Sequence, residues 1–62
     1  MIQETWRIVF KSKDQNEPFY KTERFVGGNS RSCEAKVNAY VNSKIRGGWI
    51  LVSKRCVNKR EL

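Results

Sequence analysis

The stretch that decides the fold is Gly47–Arg60, with the sequence GGWILVSKRCVNKR. Its paired glycines are typical of the end of a helix, and the apolar run after them is typical of a buried strand. Its second half is basic, where a binding surface could begin. The stretch therefore predicts a strand over residues 48–57 and a basic C-terminal tail over residues 58–62.

Upstream of this stretch, alternation of side chains predicts two further strands. Over residues 5–12 apolar and polar positions alternate with the period of two that is typical of a half-buried strand. Residues 13–18 are polar and turn-rich, and their proline cannot donate to a sheet ladder, so they predict a loose connection. Residues 19–26 predict the second strand, which forms a hairpin with the first.

A helix is predicted over residues 30–46, between two glycine pairs. Asn29, Ser30 or Ser32 can accept the free amide hydrogens at the helix start. Gly47 is suited to the left-handed conformation that ends a helix. One apolar stripe faces the sheet, and its residues are Cys33, Val37, Tyr40, Val41 and Ile45.

The order strand, strand, helix, strand has one simple topology. A right-handed crossover through the helix returns the third strand parallel to the second, on the free side of the first. The prediction is one α+β domain over residues 1–62, a two-layer ββαβ fold. Its three-stranded antiparallel sheet has the order 2-1-3, with one helix on one face and Trp6, Ile8 and Phe10 directed into the core.

The charge of the chain is strongly basic. Thirteen Lys and Arg stand against six Asp and Glu, a formal net charge of +7. This charge favours acidic partners: nucleic acid, an acidic protein surface or anionic lipid. The sequence has no apolar run long enough to span a bilayer and no leader-like start, so we expect a cytoplasmic protein without membrane contact.

Residue types exclude most catalytic chemistry. The chain has no histidine, which excludes Ser-His, Cys-His and His-metal arrangements, and the remaining reactive types do not cluster. We therefore expect no enzyme, no cofactor and no metal site. Two cysteines, Cys33 and Cys56, are too few for a zinc site or a disulfide scaffold. A disulfide bond between them is conceivable, since both may lie at the same level of the fold, although buried free thiols are favoured.

The sheet face that the helix leaves uncovered is the candidate binding surface. If Ile50, Val52 and Cys56 point inward, this face presents Trp49 and Leu51 among basic residues; in the opposite register Trp49 and Leu51 enter the core. Trp, Tyr and Arg dominate protein-binding hot spots, and aromatics beside Arg equally suit stacked bases. The predicted partner-binding residues of this face are Arg7, Arg24, Trp49, Leu51 and Arg55. A second candidate is the basic run of Lys54, Arg55, Lys59 and Arg60, which could neutralise phosphates or pair with carboxylates of a partner.

The layout resembles the small phage-encoded inhibitors of host bacterial RNA polymerase. The matching pieces are Trp6, Glu34-Ala35, Gly48-Trp49 and Arg55-Cys56-Val57. The resemblance implies an inhibitor that acts in the host cytoplasm. Because the third strand of that family carries arginines that contact polymerase, it places the same role on Lys54 and Arg55.

A second, looser resemblance is to the DNA-binding sheets of AP2-like and integrase arm-binding domains. It rests on the hairpin from Trp6 to Phe25 and on Glu34-Ala35 in the helix. The favoured hypothesis is a non-enzymatic binding module, monomeric or weakly dimeric, that occupies an acidic surface of a host protein. The alternative is nucleic-acid binding through the open sheet face and the basic tail.

Overall fold

The computed structural model describes residues 1–14 and 17–62. The central strand β1 pairs antiparallel with β2 on one side and with β3 on the other, giving the sheet order β2-β1-β3. One helix, α1, lies between β2 and β3 in the chain. The predicted ββαβ architecture of the α+β class is therefore confirmed. The elements are β1 (Ile2–Ser12), β2 (Phe19–Gly27), α1 (Ser30–Arg46) and β3 (Trp49–Glu61).

Strand β3 is longer than predicted. The expectation of a separate tail over residues 58–62 is wrong, because the strand continues to Glu61. The added residues of β3 pair with the start of β1, which begins at Ile2 rather than at Thr5. Glu61 lies opposite Ile2, and the amide of Leu62 donates to the carbonyl of Met1 at 2.7 Å.

A first irregularity in β3 lies at Val52. Leu51 is opposite Phe10, but Ser53 rather than Val52 is opposite Val9, so Val52 is an extra residue in the ladder. A β-bulge of this kind inverts the alternation of faces along the strand. Odd-numbered residues of β3 therefore face one side of the sheet before Val52 and the other side directly after it.

A second irregularity lies at Val57. Cys56 is opposite Trp6 and Asn58 is opposite Thr5, which leaves Val57 as the extra residue. The alternation of faces inverts again at this point. Two inversions within one strand decide which of its basic residues lie on which side of the sheet.

The core lies between β1 and α1. Its fully enclosed cluster consists of Ile8, Phe10, Val37 and Val41. The prediction that β1 directs its apolar residues inward is confirmed. The partly buried residues that pack against this cluster are Trp6, Phe25, Tyr40, Trp49 and Leu51.

The placement of Trp49 and Leu51 on the uncovered face is wrong. Both pack against the core, as in the opposite register. Ile50 and Val52, predicted to point inward, are 38% and 51% exposed. The physical reason is the bulge at Val52. Before it, Trp49 and Leu51 face α1, and after it the alternation of faces along the strand is inverted.

Helix α1 is fixed at both ends. The Asn29 side chain accepts from the Ser32 amide at 2.9 Å and caps the helix start, as one of the predicted alternatives. The left-handed residue at the other end is Gly48, with φ of 98°, and not Gly47 as predicted. Ile45 is 47% exposed although it continues the apolar stripe, because it borders an open cleft in the last turn.

The two thiols lie at different levels of the fold. Cys33 is buried and its thiol donates to the carbonyl of Ile2 at 3.5 Å, whereas Cys56 is exposed and lies opposite Trp6. Four residues of strand separate those positions on β1, a distance of about 13 Å. Both thiols are free, as favoured, but Cys56 is exposed, so the expectation of a buried thiol is wrong for that residue.

Candidate functional site

The face of the sheet opposite α1, which we call the open face, follows from the pairing register. Residues directly opposite each other on antiparallel strands share a face, so each row of partners can be assigned. Strand β1 contributes Gln3, Thr5, Arg7, Val9 and Lys11; β2 contributes Tyr20, Thr22, Arg24 and Val26; β3 contributes Ile50, Ser53, Arg55, Asn58 and Arg60.

Charge is divided unequally between the two sides of the sheet. The strand residues of the open face include no acidic side chain, whereas the acidic residues of the strands all lie on the helix side. The basic residues of the open face are Arg7, Lys11, Arg24, Arg55 and Arg60, and the acidic residues of the helix side are Glu4, Glu23 and Glu61. The open face is thus a cationic surface without internal counter-charge.

Lys54 and Lys59, which were predicted as partner-binding residues of the basic run, lie on the helix side of the sheet. The Lys54 ammonium donates to Asn38 Oδ1 at 2.6 Å. The Lys59 ammonium lies 3.6 Å from a carboxylate oxygen of Glu4, which is 3% exposed. Both lysines are therefore engaged within the fold, one with α1 and one with a buried carboxylate.

The bulges of β3 split two Lys-Arg pairs in the same way. In Lys54-Arg55 and again in Lys59-Arg60, the lysine turns toward the helix side and the arginine toward the open face. Without the inversion at Val57 the second pair would be reversed. The arginines Arg7, Arg24, Arg55 and Arg60, all predicted as partner-binding residues, are thereby brought together on one surface.

The centre of the open face is a pair of opposed arginines. Arg7 lies directly opposite Arg55 across the β1–β3 ladder. The Arg7 guanidinium carbon lies 5.5 Å from the ring centroid of Tyr20, a cation–π contact. The ion pairs among the described residues use Lys21, Lys59 and the N-terminal ammonium, and none uses an arginine.

Two open-face residues, Lys11 and Tyr20, were expected on the uncovered face but were not among the predicted partner-binding residues. Tyr20 and Lys11 both follow the alternation of their strands, but nothing in the sequence shows that Tyr20 lies beside Arg7. That contact depends on the register, in which Tyr20 is opposite Val9, two positions from Arg7. Aligning the two hairpin strands from the Phe10–Phe19 pair would have predicted the contact between Tyr20 and Arg7.

Tyr40 is the titratable group with a displaced pKa. Burial raises its pKa above the ordinary value of 10.0, and the negative charge of Glu23 raises it further. Its hydroxyl is buried and has no hydrogen-bond partner among the described residues. A tyrosine with a raised pKa stays neutral and unreactive near neutral pH, which gives it no role as a nucleophile or base.

An apolar cleft of about 420 Å³ lies at the end of α1. It is lined by Lys13, Ile45, Gly48, Trp49, Ile50 and Leu51. A ligand site ordinarily adds several convergent polar groups to such an apolar lining. This cleft offers one charged side chain, Lys13, so it is not the candidate site.

The described part of the chain contains no group of three side chains that could hold a metal ion, and none of its helices is long and apolar enough to cross a membrane. The candidate site is the open face, centred on Arg7 and Arg55, because the pairing register gathers the arginines there. No protein-family model, curated protein or solved structure matches the chain.

Proposed function

We propose that the chain is a non-enzymatic binding module that holds nucleic acid on its open face. The observation that carries this proposal is the cationic surface of Arg7, Lys11, Arg24, Arg55 and Arg60 without an acidic strand residue beside them. A phosphate backbone supplies the regular negative charge that such a surface lacks. Association would be favoured further by the net charge of +7.

The side-chain types of the open face favour nucleic acid over a protein partner. The centres of protein–protein interfaces are depleted of charge and enriched in large apolar and aromatic residues. Here Trp49 and Leu51 belong to the core, and the centre of the open face is the charged pair of Arg7 and Arg55. Protein–nucleic-acid interfaces are much more positively charged, which matches this surface.

The choice of arginine supports the same proposal. The bulges direct Arg55 and Arg60 outward while Lys54 and Lys59 turn toward the helix side. A guanidinium presents a planar fork of donors that matches phosphate oxygens in pairs, whereas an ammonium acts as a point charge. An open face built from arginine is suited to phosphate contacts.

A duplex fits this face better than a single strand. Proteins that bind single strands stack successive bases on several aromatic side chains. The open face presents one aromatic ring, Tyr20, and that ring already contacts Arg7. Contacts to the phosphates of a duplex require no such stacking surface.

The second candidate is an inhibitor that binds an acidic surface of a host protein, with bacterial RNA polymerase as the sharpest form of the hypothesis. The observation in its favour is the apolar start of the strand that carries Arg55, where Ile50 and Val52 are 38% and 51% exposed. Arginine also pairs with carboxylates in a bidentate manner. In this candidate Ile50 and Val52 would replace Trp49 and Leu51 as the apolar contact.

Fluorescence anisotropy with a labelled duplex and the matching single strand tests the proposal. We expect duplex binding with a dissociation constant of about 1 to 100 μM, weakening as salt rises with a log–log slope of about −3 to −5 for four or five phosphate contacts. Absence of duplex binding at low salt would overturn it. Recovery of an acidic bacterial protein on the purified chain, lost in Arg55→Gln, would then support the second candidate.

A further inference from the structure

We propose that Arg7 and Arg55 form a clamp for a single phosphate group at the centre of the open face. This inference rests on the proposed function and names the chemical group that the site takes. The two residues are direct partners on adjacent antiparallel strands. Their Cα atoms are therefore about 4.5 to 5.5 Å apart, and both side chains leave the sheet on the same side.

The pair has no counter-ion among the residues that the structure describes. Like charges at directly opposed positions destabilise a sheet, so an arrangement of this kind ordinarily has an acidic neighbour. The strand acids lie on the other side of the sheet, and the ion pairs among the described residues leave both arginines out. A bound anion would supply the negative charge that the strand residues of this face lack.

Tyr20 contacts one half of the clamp from the β2 side of the sheet. Its ring lies 5.5 Å from the Arg7 guanidinium carbon. A cation–π contact of this kind restrains the Arg7 side chain without using its N–H groups as hydrogen-bond donors to a carboxylate. Because β1 lies between β2 and β3, the Tyr20 ring and Arg55 are on opposite sides of Arg7.

A third arginine stands beside the pair. Arg24 lies opposite Thr5, two positions along β1 from Arg7, which makes Arg24 a diagonal neighbour of Arg7. Diagonal positions across a ladder are about 7 to 8 Å apart, within reach of a long side chain. Arg24 adds positive potential to one side of the clamp.

The bound group is a phosphate and not a base edge. Guanine offers two acceptors to one arginine but carries no charge, so it would leave the repulsion between Arg7 and Arg55 in place. A phosphate has several anionic oxygens, accepts from two forks together and offsets both charges. Arg7 and Arg55 should therefore hold the nucleic-acid backbone in position without contributing to recognition of the base sequence.

Titration with inorganic phosphate tests the clamp without nucleic acid. In NMR spectra we expect the side-chain Nε–H signals of Arg7 and Arg55 to shift together and saturate, while that of exposed Arg31 on α1 stays in place. Thermal unfolding should show a stabilisation by phosphate that is reduced in Arg7→Gln and Arg55→Gln but kept in Arg31→Gln. General salt effects of phosphate act on all variants alike and do not produce this difference.

Lysine variants separate fork geometry from charge. Arg7→Lys and Arg55→Lys preserve the net charge but remove the planar fork. We expect each to bind inorganic phosphate several-fold more weakly than the native protein. Equal shifts in native protein and in Arg7→Gln, or shifts confined to other arginines, would overturn the clamp.

Binding to duplexes of different sequence completes the test. Replacing both arginines by Gln should weaken all sequences equally and reduce the log–log salt slope by about 1, the value for one phosphate contact. A loss that depends on sequence would mean base contacts and overturn the clamp, as would an unchanged slope, although the proposed function would stand. Phosphate shifts without any duplex binding would preserve the clamp and remove the proposed function.

Discussion

Arg7 and Arg55 are direct cross-strand partners on the open face, two like charges held opposite each other without an acidic strand residue beside them. The bulge at Val52 makes this arrangement possible, since it returns Arg55 to the open face after Leu51 has turned toward the core. The fold tolerates an unfavourable contact at the point where we propose that a phosphate binds.

The free protein should gain stability when this contact is removed. Arg55→Gln should raise the free energy of unfolding by about 0.2 to 1 kcal/mol, because it relieves repulsion across the ladder. Urea unfolding at low salt measures the change. Arg24→Gln is the matched control, since Arg24 lies opposite Thr5 and should change stability less. A less stable Arg55→Gln variant would show that Arg55 is held by a contact within the fold.

The register of β3 predicts opposite results at two adjacent positions. Leu51→Ala removes a side chain that packs against the core and should cost about 1.5 to 3 kcal/mol. Val52→Ala changes a bulge residue that is 51% exposed and should stay within about 0.5 kcal/mol. Thermal or urea unfolding of both variants is sufficient. A larger cost at Val52 would indicate the regular register without the bulge.

The buried hydroxyl of Tyr40 predicts a small gain on its removal. Tyr40→Phe keeps the aromatic contacts with Phe10 and Phe25 and removes a hydroxyl without a partner among the described residues. We expect stability near neutral pH to be unchanged or raised by up to about 1 kcal/mol. A clear loss would mean that the hydroxyl is hydrogen-bonded.

The raised pKa of Tyr40 also sets a pH dependence. Because the folded state holds the phenol proton more tightly than the unfolded state, this contribution to stability is present below the ordinary pKa of 10.0 and is lost as pH rises through the folded pKa. The native protein should therefore lose more stability above about pH 10 than Tyr40→Phe. Parallel curves for the two proteins would contradict this.

The two thiols should differ in reactivity. Cys56 is exposed on β3 and should react rapidly with a thiol reagent, whereas Cys33 is buried against the carbonyl of Ile2 and should react after unfolding. Titration of native and denatured protein measures this difference, with Cys56→Ser removing the fast phase. A fast phase that survives in Cys56→Ser would place Cys33 at the surface.

Much of the fold was predictable because local patterns and the global topology agree. Alternation defined β1, the glycine pairs bounded α1, and the right-handed crossover left one sheet order. These features depend on hydrophobic periods that are visible in one strand or helix at a time. The ends of β1 and β3 were not predictable, because each strand is extended by pairing with the other.

The faces of β3 were harder to predict for a physical reason. Strict alternation puts Trp49, Leu51 and Arg55 on one side, so it must either expose the aromatic or bury the arginine. The fold avoids this choice by inserting Val52 as a bulge, whose location no local residue preference indicates, since Val suits a regular strand equally well. The available signal was that no regular strand could bury Trp49 and Leu51 and also expose Arg55.

Two double variants with the same change of charge test the central proposal most directly. Arg55→Gln with Arg60→Gln alters the open face, and Lys54→Gln with Lys59→Gln alters the helix side of the same strand. In duplex anisotropy we expect the arginine variant to lose about tenfold or more in affinity and about 2 in salt slope, and the lysine variant to stay within about threefold. Equal losses in both variants would contradict binding by the open face and leave net charge as the cause.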